Sequence, residues 1–124
     1  MTNPIIHIEE ETKKNENFRT VLSTTTYFQL VVMSLKPGED IGEEVHTADQ
    51  FFRIEEGEGK VVLNGLEYRI EEDDAFIVPA GTKHTVINTS EEDSLQLYTL
   101  YAPPQHADGT IHITKEDAEK SEGK

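Results

Sequence analysis

Asp73-Asp74-Ala75-Phe76-Ile77-Val78-Pro79-Ala80-Gly81-Thr82-Lys83-His84-Thr85-Val86-Ile87-Asn88 is the stretch whose reading decides the fold. It contains two short apolar runs, Ala75–Val78 and His84–Asn88, parted by Pro79-Ala80-Gly81. Proline removes a ladder donor and glycine tolerates unusual backbone angles, so the run reads as strand, turn, strand. Residues two apart on a strand share a face, which groups His84 with Val86 and Asn88. Upstream, Lys60–Leu63 and Leu66–Ile70 flank Asn64-Gly65, the strongest short hairpin signal, which favours a type I′ turn. Gln50–Glu55 reads as a strand closed by a Gly57–Gly59 turn, and Thr26–Leu35 as another that ends at Lys36-Pro37-Gly38. Downstream, Ser94–Tyr101 is a further strand. Turn signals recur at the spacing of an all-β sandwich or barrel, and no segment of the body keeps a helical period.

The ends differ from the body. Residues 1–17 read as a polar N-terminal lead-in, with Glu9–Asn17 charged and exposed. Residues 105–124 read as a flap and a charged tail, where Thr114 followed by Asp117 offers a capping box for a short helix. Fraying is the other reading of that tail. The 124 residues suit one domain, and the 35% hydrophobic content is low but enough for one core. Eleven basic against twenty-five acidic side chains give a formal charge of -14, which disfavours nucleic acid and anionic membrane surfaces as partners. There is no cysteine, so disulfides, thiolate metal sites and cysteine nucleophiles are excluded. Met1–Ile8 lack a basic start and a long apolar run, and nothing reaches the roughly 20 apolar residues of a membrane span. A cytoplasmic protein is the expectation.

Alternation also groups the candidate chemistry. Glu44 and His46 share a face, as do Gln50, Phe52 and Ile54 on the next strand. If these faces and that of His84 line a barrel interior, one carboxylate, two imidazoles and an amide oxygen converge. That donor set suits a borderline divalent ion such as Fe, Mn, Ni, Co or Zn. One carboxylate leaves roughly +1 on a site holding a divalent ion, which draws oxyanions or enolates despite the acidic exterior. Phe52, Ile54, Val86 and Leu97 are expected in the core, and Asn88 at a strand end. Arg53 and Lys83 are expected to face away from the site. Tyr98 and Tyr101 lie on opposite faces of the last strand, and Tyr101 is the one expected to line the cavity. His106 and His112 are expected either on a flap over the mouth or, by preference, on the surface. His7 has no evident partner.

These residues resemble the cupin superfamily, whose two motifs read G(X)5HXH(X)3-4E(X)6G and G(X)5PXG(X)2H(X)3N. The first runs here from Gly38 through Glu44-Val45-His46 and Gln50 to Gly57. The second runs from Asp73 through Pro79-Ala80-Gly81 and His84 to Asn88. Three positions depart from the pattern: Glu44 stands for the usual first His, Gln50 for the usual Glu, and Asp73 for the opening Gly. The exchange keeps the negative charge of the site but moves it to another corner. The resemblance covers about residues 18–104, and implies a double-stranded β-helix, the jelly-roll cupin barrel. It further implies a metal on Glu44, His46, Gln50 and His84, and a homodimer. Asp49–Gly57 and Leu97–Pro104 look like a small-cupin subgroup labelled mannose-6-phosphate isomerase-like.

Three functions follow as expectations. The first is a metal-dependent, isomerase-like enzyme acting on a small oxygenated molecule such as a sugar or keto acid. The second is a non-haem metal dioxygenase, which needs no protein base. The third is a non-catalytic sensor that uses its metal to hold a small molecule. No free Glu, Asp or Lys is evidently aimed inward to serve as a base, and Lys and Arg do not cluster as a phosphosugar would require.

Overall fold

In the computed structural model, which describes residues 4–122, the chain forms nine strands between two short helices. These are α1 (Ile8–Lys14), β1 (Arg19–Thr24), β2 (Gln29–Leu35), β3 (Asp49–Glu56), β4 (Glu58–Leu63), β5 (Leu66–Glu71), β6 (Ala75–Val78), β7 (His84–Asn88), β8 (Leu95–Ala102), β9 (Ile111–His112) and α2 (Lys115–Glu122). A six-stranded sheet in the order β6-β3-β8-β2-β1-β9 packs against a three-stranded sheet in the order β5-β4-β7. All pairings are antiparallel. This is an all-β barrel, as the turn spacing suggests, in the jelly-roll form that the cupin resemblance implies. No helix is long and apolar enough to cross a membrane.

Alternation builds the core. On β3 Gln50, Phe52 and Ile54 point in, on β8 Leu95, Leu97, Thr99 and Tyr101, and on β7 His84, Val86 and Asn88. Phe52, Ile54, Val86 and Leu97 are fully buried, as their positions predict. The register sorts the interior by polarity. Ile54, Leu97 and Met33 stand side by side in one row, whereas Gln50, Tyr101 and Gln29 form another. The barrel is therefore apolar at one level and lined by hydrogen-bonding groups at the other. Asn88 ties down a strand end: its amide donates to the carbonyls of Leu35 and Asp93 and accepts from the Ser90 N–H. Asn64 and Gly65 have φ of 48° and 88°, the two positive values that a type I′ turn requires.

Several boundaries differ from the sequence reading. The N-terminal lead-in contains α1, with acidic residues in its first turn and Lys13 and Lys14 in its last, complementing the helix dipole. Thr12 is fully buried, and the Gln96 amide donates to the carbonyls of Lys13 and Asn15. Seven residues are too few for a helical period to stand out in a charged segment. The helix contacts the outer face of β2, β3 and β8, which explains why β2 is buried on both faces. The expected strand over 26–35 begins only at Gln29, because the chain reverses through 25–28 with Tyr27 exposed. Gly57, at φ 103°, turns the chain alone, and Gly59 lies inside β4. A side chain at Gly59 would collide with the carbonyl oxygen of Ile87.

The C-terminal segment folds back on the barrel. The Ala102–Pro103 peptide is cis, and β9 then pairs with β1. The Thr114 hydroxyl accepts from the Asp117 N–H while the Asp117 carboxylate accepts from the Thr114 N–H, so the capping box forms. Ala118 is buried, and the Lys115 ammonium pairs with Asp40 at 2.8 Å.

Candidate metal centre

Three segments bring the centre together. Residues 39–48 are irregular, yet two isolated bridges, Asp40 to Ile87 and Glu44 to His84, pin them alongside β7. The Glu44 and His84 backbones exchange both hydrogen bonds, at 2.8 and 2.9 Å. This places the Glu44 side chain beside that of His84. The Gly81 N–H donates to the His46 carbonyl and fixes the third residue. Glu44, His46 and His84 each offer a donor atom, and these atoms all lie within 4.8 Å of one another. Glu44 Oε1 and His46 Nε2 stand 3.1 Å apart, close to the spacing of two donors that share one ion at roughly 2.1 Å.

His84 and Gln50 carry the most telling detail. His84 Nδ1 lies 2.9 Å from the Thr82 carbonyl, an arrangement that requires the proton on Nδ1 and leaves a lone pair on Nε2. That Nε2 is buried and has no hydrogen-bond partner. Gln50 is likewise buried, its Nε2 donating to the Thr99 hydroxyl at 3.0 Å, while its Oε1 has no partner. A buried polar atom left unpaired costs about 1–3 kcal/mol. His84 Nε2 stands with a carboxylate and a second imidazole, the company a cation would require. The donor set thus fits a divalent ion, with Gln50 able to contribute its amide oxygen.

Tyr101 is buried on β8, with its ring edge-on to His46 at 5.5 Å and to His106 at 5.3 Å between centroids. Tyr98 faces the other way, against Phe51. Arg53 pairs outward with Asp73 at 2.7 Å, and Lys83 is exposed. His7 is exposed at the N-cap of α1.

The preferred surface placing of His106 and His112 does not hold. A cavity of about 370 Å³ opens beside the centre, and Glu44, His46, His106 and His112 all line it. That volume falls within the range of small-molecule sites, about 300–1,000 Å³. His112 is buried and accepts a hydrogen bond at Nδ1 from the Arg19 guanidinium at 2.9 Å. Burial pushes the His106 ring down to about 4, helped by the positive charge of Arg19 and opposed by the negative charge of Glu44, so the ring is neutral near pH 7. Arg19 is itself fully buried at the inner face of β1, lying over the Phe18 ring. Its alternation with Val21 is the one signal that would have placed it inward. His106 lies in a loop without period, and nothing in its neighbours reveals its aim.

A family model described as a cupin domain matches residues 31–101, and the chain belongs to the cupin family. It is 46% identical to the Bacillus subtilis protein named uncharacterized protein YrkC over 95% of this chain and 67% of that one. It is 41% identical to uncharacterized protein L612 of Acanthamoeba polyphaga mimivirus, over 90% of this chain and 72% of the relative. The crystal structure of BH2720 from Bacillus halodurans superposes with a TM-score of 0.91 at 43% identity, covering 96% of each chain.

Proposed function

We propose that this cupin holds one divalent transition-metal ion on Glu44, His46, His84 and Gln50. With it, the protein acts in the cytoplasm on a small oxygenated molecule such as a sugar or keto acid, in an isomerase-like reaction. The observation that carries this reading is the buried, unpartnered His84 Nε2 grouped with donor atoms of Glu44 and His46, with Gln50 Oε1 a second buried atom without a partner. An ion bound there would polarise a carbonyl or hydroxyl oxygen. The chain supplies position: Thr82 sets the His84 tautomer, Thr99 orients Gln50, and Tyr101 shields one side of His46.

The cavity lining also narrows the substrate. Among the described residues, no Lys or Arg lines it. A phosphoryl group is normally gripped by such cations, so an unphosphorylated hydroxy-carbonyl compound suits the site better than mannose 6-phosphate.

A dioxygenase is the second reading, favoured by one observation: two histidines and one carboxylate form the donor set of non-haem iron oxygenases. A non-catalytic sensor is the third. Elemental analysis of the purified protein, native and with His46 and His84 both changed to Ala, tests the common premise. Unaltered metal content in the double variant would sink it. Oxygen uptake after anaerobic Fe(II) loading would favour the dioxygenase. Ligand-induced melting shifts without turnover would favour the sensor.

A further inference from the structure

His106 is held with unusual care for a loop residue. Gln29, fully buried on β2, donates from its amide to the His106 carbonyl at 2.7 Å and to the Thr24 hydroxyl at 2.9 Å. The amide oxygen accepts from the N–H groups of His106 at 3.0 Å and Gln105 at 3.3 Å. A side-chain amide has two donors and two acceptor sites, so Gln29 uses its full capacity here, three of the four bonds on the loop and one on Thr24. Because Gln29 pairs in register with Tyr101, the clamp grips the chain beside the polar interior row. The Tyr101 ring packs against His106 from that side. The result is an imidazole fixed at backbone and ring, facing the cavity that Glu44 and His46 also line. Its Nε2 is buried and makes no hydrogen bond. A loop anchored this firmly that leaves a polar atom unsatisfied is arranged for a partner outside the chain.

We propose that His106 is a ligand-binding residue, whose Nε2 hydrogen-bonds an oxygen of a small hydroxy-carbonyl or enediol compound held at the Glu44–His46–His84 group. Gln29 is the residue that positions it. This deepens the metal-centre reading above and rests on it. The chemistry is that of a bidentate oxygen ligand: an ion held by those donors would take two adjacent oxygens, and His106 would hydrogen-bond one of them. It is a polar group of the same cavity that is not itself among the metal-facing donors.

The test uses the full chain loaded with zinc(II) and titrated with 4-nitrocatechol, a bidentate oxygen chelator whose visible band reports binding. The His106→Leu variant is expected to take up zinc as the native chain does. It is expected to bind 4-nitrocatechol about ten-fold more weakly, the loss of one hydrogen bond. His106→Gln, whose amide reaches a position close to that of Nε2, should recover most of the affinity. Undiminished affinity in His106→Leu at full zinc content overturns the proposal. So does zinc loss in that variant, which would make His106 a donor to the ion instead. Failure of the native chain to take up zinc removes the metal-centre reading, and the proposal falls with it.

Discussion

At the scale of single residues, the exchange of charge between positions 44 and 50 sets the character of the site. The carboxylate comes from Glu44, partly buried at one corner, while the fully buried corner carries a neutral amide. Gln50→Glu should therefore place a second carboxylate in a buried position without a neighbouring cation. We expect the metal-free variant to be less stable by about 1 kcal/mol or more, because burial disfavours the charged form. Metal should then stabilise it more than it stabilises the native chain, as read by melting temperature with EDTA against added Mn(II) or Zn(II). An equal gap in the two proteins would argue that Gln50 does not face the ion. His106 gives a pH signature. Its folded value lies near 4, against an ordinary 6.5, so between these limits the unfolded chain binds a proton that the folded chain does not. Stability contributed by the neutral ring is present above 6.5 and declines as pH falls toward 4. Urea unfolding in EDTA at pH 7 and 4.5 should show a smaller acid loss for His106→Gln than for the native chain.

At the scale of elements, two features carry the site without touching it. The close approach of β4 to β7 requires the absence of a side chain at Gly59, since a Cβ there meets the Ile87 carbonyl. Gly59→Ala should cost about 1–3 kcal/mol by forcing β7 away, with chemical denaturation as the measure. β7 begins at His84, so weakened metal retention should accompany it. The second feature is α2. Its capping box and the Lys115–Asp40 pair, with Asp40 held below its usual range by Lys115 and the Gly42 N–H against the opposing effect of burial, fasten the C-terminal segment to residues 39–44. Thr114→Ala should loosen α2 by about 1 kcal/mol, seen as faster hydrogen exchange in residues 114–122. Exchange unchanged from native would mean the tail docks by Ala118 alone.

At the scale of the molecule, binding of the proposed ion would couple to folding. An ion that binds only the folded chain at 100 times its dissociation constant adds about 2.7 kcal/mol, a rise in Tm on the order of 10 °C for a domain this size. Absence of any shift with Fe(II), Mn(II), Ni(II), Co(II) or Zn(II) would argue against the centre. Self-association is the other property of this scale. Phe28, Phe51, Ile77 and Leu100 form an apolar patch on the outer side of the six-stranded sheet, where a second copy could pair, as the family resemblance implies. We propose a homodimer through this patch, and Ile77→Lys should convert it to a monomer in light scattering. A native chain that is already monomeric would dismiss it.

Period and turn chemistry alone locate β2 to β8, the type I′ hairpin, the capping box and the shared face of Gln50, Phe52 and Ile54. These depend on local patterns, whereas β1 and β9 carry no such signal. Alternation also groups Glu44 with His46 and sets Tyr98 and Tyr101 on opposite faces, and the motif spacing of the cupin resemblance joins Glu44, His46, Gln50 and His84 as one expected set. Only the tertiary structure decided that α1 covers β2, since a seven-residue helix leaves no period to read. The fold also brings His106 and His112 to the same cavity as Glu44 and His46. Their position depends on a clamp between Gln29 and a loop 77 residues away, and no local pattern encodes a contact at that separation.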